Sequence, residues 1–328
     1  MIDRRTFTAA LLGGSVVGIP LTVRAQPAGK TYRVALLVHG GQALKGLVDV
    51  FRSSLRDFGY VEGQNLELEV RLVERHEALP DTAAELVRIR VDVIAAATTL
   101  PGLAAKRATS TIPIVLIAAA DPVQAGLVAG LARPGGNVTG NAALTPEVSG
   151  KLLELVRETM PKLARIAVLW NSANPANTPV MRETVIVTTR LGMKLELVDL
   201  RAPDQIEDVL TTIVRHRPDA VLIMPESAFF AHVARINEVA IRHRFPTIAL
   251  LREFARRGSL MSYGPSIPDL VKRSAAFIDK VLKGANPANL PIEQPTKFEL
   301  VINLKTVKAL GVTIPEPLLV RADELIQE

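Results

Sequence analysis

The chain has 328 residues, which is the length of two domains of ordinary size, and its 48% hydrophobic and 22% charged residues supply material for packed cores. It has no cysteine, which excludes disulfides, thiol catalysis, cysteine metal sites and a lipid anchor on cysteine. The net charge of +6 is spread among acidic residues with only 4% aromatics, a pattern typical of a solvated surface and not of a nucleic-acid partner.

The N-terminus predicts an export signal. Arg4-Arg5 is basic, residues 9–21 are apolar but too few to span a bilayer, and Val23-Arg24-Ala25 fits a cleavage site. Residues 1–25 are therefore predicted to be removed, with an ordinary N-terminal helix as the alternative. The twin arginines with Phe7 indicate the twin-arginine route, and the general route is the alternative. The remaining chain is predicted to lie free in the periplasm without a lipid anchor.

The next part of the chain alternates apolar strands with amphipathic helices. Strands are predicted at 32–38, 66–73, 91–95 and 114–118. Helices are predicted between them at 47–58, 81–90 and 101–109, and a fourth at 121–131, where Asp121-Pro122 provides a helix start. Residues 137–140 begin a further extended piece. This βαβ series predicts a parallel sheet with helices on both faces.

After residue 146 the alternation starts again. Helices are predicted at 146–160, 179–191, 203–214, 228–244, 271–282 and 305–310. Strands are predicted at 166–170, 194–200, 220–224, 247–250, 260–263 and 298–303. The fold class is therefore α/β, with two doubly wound parallel-sheet lobes.

Several blocks of sequence carry a family resemblance. The longest are residues 112–116 (IPIVL), 121–140 (DPVQAGLVAGLARPGGNVTG) and 290–311 (LPIEQPTKFELVINLKTVKALG), followed by RADE at 321–324. Shorter pieces in the same order are GYVEGQN at 59–65, AKRAT at 105–109, MSYG at 261–264 and LKG at 282–284. From about Val34 to the C-terminus the chain resembles the substrate-binding proteins of bacterial ABC importers, in the group of tryptophan and mostly uncharacterised importers.

The resemblance implies a periplasmic binding protein of type I-like architecture, whose lobes are joined by a multi-strand hinge. The first lobe would comprise residues 31–142 and about 266–292, and the second 143–265 and about 293–328. Hinge strands are expected near 141–145, 263–268 and 290–297. Such a protein closes over one small solute and presents it to an ABC permease in the inner membrane.

Candidate ligand-binding residues come from a rule of α/β sheets, in which ligands bind beyond the carboxyl ends of the strands. The loops at those ends, with Tyr263 near the expected hinge, contain His39, Gly40, Gly41, Thr98, Thr99, Asp121, Thr139, Asn141, Trp170, Asn171, Ser172, Asn174, Glu226, Ser227 and Tyr263. Thr98 and Thr99 precede a helix, so their hydroxyls and its free N–H groups could hold a carboxylate, and simple N-capping is the alternative.

Structural explanations compete at the other positions. Helix capping explains Asp121 before a proline, Asx-turns explain the asparagines near residue 172, and packing explains Trp170. Relatives that resemble amino-acid importers carry Ser-Asp after the Thr-Gly of this segment, whereas Asn141-Ala142 follows here. The acid suited to an α-amino group is therefore absent at this place, unless Asp121 or Glu226 replaces it.

Motifs for catalysis are absent from the sequence. There is no G-x-G-x-x-G, no P-loop and no G-x-S-x-G, and the five histidines do not have zinc spacing. No enzyme activity, cofactor or metal is predicted, and the protein is expected to be a monomer. The predicted ligand is an amino-acid-like solute or a small carboxylate. The alternatives are a periplasmic small-molecule enzyme of α/β architecture, with His39 as base, and a ligand sensor that docks to a membrane receptor.

Overall fold

The computed structural model describes residues 30–40, 45–143, 147–174, 177–201 and 203–327. The predicted export signal and Gly41 lie outside the described residues, as does the side chain of Ser227. From Thr31 onward the chain forms one compact unit. Within the described part, no helix combines the length and the apolar character that a bilayer crossing requires.

The first sheet has five parallel strands in the order β2-β1-β3-β4-β5. These strands are β1 (Tyr32–His39), β2 (Leu66–Val73), β3 (Val93–Ala96), β4 (Ile114–Ala119) and β5 (Val138–Ala142). The helices that follow β1, β2 and β3 are α1 (Lys45–Asp57), α2 (Leu79–Arg88) and α3 (Thr99–Ala108). The central strands are continuous apolar runs because helices cover both of their faces.

The second sheet has seven strands in the order β12-β11-β10-β9-β8-β6-β7. Its strands are β6 (Arg165–Trp170), β7 (Lys194–Asp199), β8 (Ala220–Ile223), β9 (Thr247–Ala249), β10 (Met261–Pro265), β11 (Phe298–Asn303) and β12 (Glu324–Ile326). All neighbours are parallel except β10 and β11, which run antiparallel.

The remaining helices are α4 (Glu147–Thr159), α5 (Asn177–Arg190), α6 (Ile206–His216), α7 (Val233–Arg242), α8 (Arg252–Arg256), α9 (Ile267–Leu282), α10 (Leu304–Leu310) and α11 (Glu316–Arg321). Helix α9 follows a strand of the second sheet but packs on the first, where Ile278 shares a core with Leu36 and Phe51. The hydroxyl of Tyr60 donates a hydrogen bond of 2.9 Å to Asp279 on the same helix.

The chain passes between the two sheets three times: after β5, after β10 and before β11. The three passing segments lie side by side. The N–H of Ala142 donates to the carbonyl of Glu293 at 2.9 Å, and the N–H of Ser266 donates to the carbonyl of Lys297 at 3.1 Å. Hydrogen bonds therefore join the segments that connect the two sheets.

The predicted helix at 121–131 is wrong. The carboxylate of Asp121 accepts from the N–H groups of Val123 and Gln124, as a cap would, but the chain makes only successive turns. Gly126 adopts a φ of +72°, which ends the first turn, and Leu127 and Val128 are still buried against the first sheet. The apolar residues here are spaced as in a helix, but the chain does not form one.

Three short elements, α8, α11 and β12, were not predicted because they are too short to show a hydrophobic period. The predicted helix 228–244 is divided: a 3₁₀ turn at Ser227–Ala231 comes before α7. The fold class itself, two doubly wound lobes of α/β structure, is confirmed.

Candidate functional site

A cavity of about 400 Å³ lies between the carboxyl end of the first sheet and that of the second. The first sheet and α1, α3 and α9, with the segment after β5, contribute His39, Gly46, Leu47, Val50, Ala97, Thr98, Thr99, Leu100, Ala118, Ala120, Ala143, Ile267, Pro268 and Val271. The other side contributes Asn174, Asn177, Pro225, Glu226, Phe230, Leu251, Arg252, Glu253, Arg256 and Arg257. A volume of this size is typical of a pocket for one small molecule.

Five of the predicted ligand-binding residues line this cavity: His39, Thr98, Thr99, Asn174 and Glu226. They come from both sides, because each lies at or just beyond the end of a parallel strand that points toward the other sheet. The strand-end rule therefore found polar residues of the cavity on both sheets.

Other predicted residues of the first sheet have structural contacts away from the cavity. Asp121 caps its turn, the hydroxyl of Thr139 donates to the carbonyl of Leu290 at 2.9 Å, and the amide of Asn141 donates to the carbonyl of Leu270 at 3.1 Å. Gly40 turns the chain after β1 with a φ of +118°.

The predicted residues near the end of β6 also have local partners. Trp170 packs on the core beneath the second sheet, and the side-chain oxygen of Asn171 accepts from the N–H of Ala173 in an Asx-turn. The hydroxyl of Ser172 donates to Asp199 at 2.6 Å. Tyr263 stacks on Phe298 with ring centroids 6.0 Å apart. None of these four side chains is among the described residues that line the cavity.

Glu226 is the most deeply buried charged group on the cavity wall. It follows β8 and is only 2% exposed. The amide of Asn174, itself 8% exposed, donates to one carboxylate oxygen at 2.7 Å. A carboxylate can accept more than one hydrogen bond. A cationic group placed in the cavity could therefore also donate to Glu226 and compensate for the burial of the charge.

His39 lies across the cavity from Glu226, at the end of β1, and is 5% exposed. Burial is the main reason that the pKa of His39 is lowered from its ordinary value, and the nearby His76 lowers it further. The charge of Glu226 and a hydrogen bond with the backbone of Glu74 oppose that shift. The imidazole is therefore biased toward its neutral form near neutral pH.

The start of α3 can bind an anion, whereas Glu226 can bind a cation. Thr98 is the N-cap residue, with extended backbone (φ −141°, ψ −174°), and its side chain makes no capping hydrogen bond. The hydroxyl of Thr99 accepts from the N–H of Ala120 at 3.0 Å, which fixes this side chain. The first N–H groups of a helix have no partner within the helix, so the Thr98–Leu100 corner can receive a carboxylate.

The arginines of α8 also line the cavity but were not among the predicted ligand-binding residues. Arg252 donates to Glu299 at 3.1 Å, and Arg256 forms a two-pronged ion pair with Glu324. Arg257 donates to the carbonyl of Phe230 at 2.7 Å and lies over its ring. Each of these cations therefore has at least one partner among the protein's own acids and carbonyls. They line the cavity because α8 follows the end of β9.

Helices α1 and α9 give the wall an apolar part, formed by Leu47, Val50, Ile267 and Val271. Asn177 and Glu253 add further polar groups on the other side. Among the described residues of the cavity, the hydroxyl groups belong to Thr98 and Thr99. No cluster of three or more potential metal-binding side chains occurs in the described part of the chain. The site thus combines two polar poles with an apolar side, which suits a small zwitterion with an apolar part.

Comparison with known proteins identifies the family. Residues 33–326 match the family model described as ABC transporter substrate binding protein. The chain belongs to this family of ABC transporter substrate-binding proteins. The resemblance read from the sequence is confirmed, and members of the family bind solutes.

The chain is also similar to a named protein and to solved structures. The chain is 27% identical over 265 residues to the tyrosine-binding protein of Clostridioides difficile (strain R20291), covering 79% of this chain and 75% of that protein. A conserved domain protein from Vibrio cholerae O1 biovar El Tor N16961 has a TM-score of 0.85 at 27% identity, covering 90% of this chain and all of the other. The ABC domain from Streptococcus pneumonia in complex with L-Trp has the same TM-score at 23% identity and the same coverage.

Proposed function

We propose that this substrate-binding protein captures an L-amino acid in the cavity between its two sheets. The observation that carries the proposal is the pairing of a buried carboxylate, Glu226, with the open helix start at Thr98 in one cavity of about 400 Å³. An amino acid carries an ammonium and a carboxylate on one carbon. The ammonium would bind Glu226, and the carboxylate would bind the first turn of α3.

The proposed binding mode does not need an acid after Thr139-Gly140. Asn141 is turned into the structure and bonds to α9, so this segment does not supply the acid. Asp121 caps a turn outside the cavity. Of the two acids considered as replacements, Glu226 alone lies on the described cavity wall.

The named relative supports the same class of ligand. The Clostridioides difficile protein is described as tyrosine-binding, and the Streptococcus structure holds L-Trp. An amino acid with a sizeable apolar side chain would fill the space along Leu47, Val50, Ile267 and Val271.

Transport follows from the family. We infer that the protein releases its solute to an ABC permease and works as a monomer in the periplasm, where the family's substrate-binding proteins act. Export would use the signal predicted in residues 1–25. The first lobe would comprise residues 31–142 and 266–292, the second 143–265 and 293–328, and ligand would bind as the lobes approach about the three connecting segments.

A thermal-shift screen with the twenty L-amino acids and their α-hydroxy or desamino analogues tests this proposal. We expect at least one amino acid to raise the melting temperature by mass action and its analogue without an ammonium to raise it much less. Glu226→Gln should weaken binding by tenfold or more, since a buried charge-assisted hydrogen bond is lost.

Glu238→Gln, on the exposed face of α7 where Glu238 pairs with Arg235 and Arg242, is the matched control and should bind normally. Equal stabilisation by an amino acid and its desamino analogue would favour a simple carboxylate as ligand. Stabilisation by neither class would contradict the proposal.

A further inference from the structure

The ammonium pole of the cavity has two acceptors on opposite sheets. Glu226 follows β8 in the second sheet, and His39 ends β1 in the first. Both line the same cavity and both are more than nine-tenths buried. The charge of Glu226 acts on the His39 imidazole, which places the two groups within electrostatic reach across the cavity.

The protonation state of His39 decides what it offers to a ligand. A neutral imidazole has one N–H donor, and its other nitrogen carries a lone pair and is an acceptor. In the imidazolium form both nitrogens are donors and the ring is a cation. Neutral His39 therefore suits an ammonium ion, and protonated His39 repels it.

We propose that neutral His39 is a second acceptor for the ligand's ammonium group, opposite Glu226, so that protonation of His39 expels the ligand. The inference rests on the proposed function and adds a specificity-determining residue that the first lobe contributes. Ligand would bind to both lobes through one functional group, and affinity would fall as the solution becomes acidic.

The groups around His39 determine the pH at which the affinity begins to fall. Burial lowers the pKa of His39, His76 lowers it further with its ring 6.4 Å away, and Glu226, the Glu74 carbonyl and Glu77 raise it. His76 is half exposed and does not belong to the described cavity wall. Removing His76 should therefore raise the pKa of His39 without touching the ligand.

The test measures the dissociation constant from pH 8 to pH 5 by calorimetry. The probe is L-tyrosine or, if it does not bind, the L-amino acid that stabilises the protein most in the screen. In the wild type, affinity should be constant at high pH and then weaken by up to about tenfold per pH unit below the His39 pKa. His39→Asn should bind about tenfold more weakly at pH 8 and lose this pH dependence.

His76→Asn is the matched control and should keep the affinity at pH 8 while the fall begins at higher pH. An NMR titration of the imidazole in the unliganded wild type and in His76→Asn gives the His39 midpoint independently. That midpoint must coincide with the pH at which affinity begins to fall, even if His39→Asn does not fold.

The outcomes separate the two proposals. Binding of an amino acid with the same pH profile in the wild type and in His39→Asn, or a fall that does not follow the His39 midpoint, overturns the role of His39 alone. Absence of binding by every amino acid at every pH overturns the proposed function, and this inference with it.

Discussion

Gly140 is the residue that allows β5 to pair closely with β4 at the edge of the first sheet. It lies opposite Leu116 in the β4–β5 ladder with a φ of +119°, and an added Cβ would lie 2.2 Å from the carbonyl oxygen of Leu116. The residue before it, Thr139, was predicted from the sequence to contact ligand. Gly140 itself is required by the close approach of two strands.

Gly140→Ala should therefore destabilise the protein by about 3 kcal/mol or more, because backbone strain and a backbone clash add. Urea unfolding followed by circular dichroism measures the free energy of unfolding. Gly136→Ala is the control, since its Cβ would meet no atom within 4 Å, and it should change stability by no more than about 0.5 kcal/mol. Similar values for both variants would contradict the interpretation.

Asp199 illustrates a polar residue whose role is to organise a loop. Burial opposes its ionisation, but hydrogen bonds from the hydroxyl and N–H of Ser172, and from Arg201, outweigh burial and lower the pKa of Asp199 below its ordinary value of 3.8. Ser172 therefore stabilises the loop after β6 through Asp199, at a distance from the cavity wall.

Asp199→Asn should cost about 1 kcal/mol near neutral pH. The folded state binds its proton less readily than the unfolded chain, so this stabilisation is complete above pH 3.8 and is lost as the pH falls through the lowered pKa. The difference between wild type and variant in urea midpoints should shrink below pH 3.8. Asp57→Asn, at the exposed end of α1, is the surface control and should change stability by no more than about 0.5 kcal/mol near neutral pH.

At the scale of elements, α9 connects the second sheet to the first. It follows β10 of the second sheet, yet its buried face, with Val271, Ala275 and Ile278, completes the core of the first sheet. Its apolar spacing predicted a helix from 271, and the structure extends it to Ile267, where Pro268 fits the first turn. Spacing alone does not say which sheet receives that face.

Ile278→Ala should lower the free energy of unfolding by about 2–5 kcal/mol, because a fully buried side chain in the core of the first sheet is replaced by a cavity. Lys280→Ala on the exposed side of the same helix should change stability little. Chemical denaturation of both variants, with helix content checked by circular dichroism, measures the difference. A small effect at Ile278 would mean that α9 contributes little to the first sheet.

At the scale of the whole molecule, the proposed function depends on bringing strand-end loops of the two sheets together. His39 and Thr98 belong to one sheet and Glu226 and Asn174 to the other, and the cavity exists only between them. A solute that contacts both sides stabilises the arrangement in which they are near each other. Its binding energy is the source of the preference for that arrangement.

Val50→Trp should block ligand binding in the cavity. Val50 lies on the cavity side of α1, and an indole there would occupy the space of the ligand. The variant should lose the ligand-induced rise in melting temperature and the decrease in radius of gyration that small-angle scattering is expected to show for the wild type. Val185→Trp, on an exposed face of α5, should retain both. Normal binding by Val50→Trp would place the ligand elsewhere.

Sequence alone determined the alternation of strands and helices, the two doubly wound lobes and the family. Apolar runs such as 114–118 and the amphipathic spacing of helices such as α6 are local properties that any fold of this class must satisfy. Prediction of secondary structure failed where a helical spacing of apolar residues was buried without a helix. At Leu127 and Val128, burial required only turns.

Tertiary structure alone decided which polar strand-end residues line the cavity. Asn171 and Asn174 lie three positions apart on one loop, yet the first closes an Asx-turn and the second bonds to Glu226 on the cavity wall. The arginines at α8 reached the wall without any periodic signal. The direction of a side chain depends on local dihedral angles and on neighbours distant in sequence, whereas hydrophobic periodicity reports only which face of an element is buried.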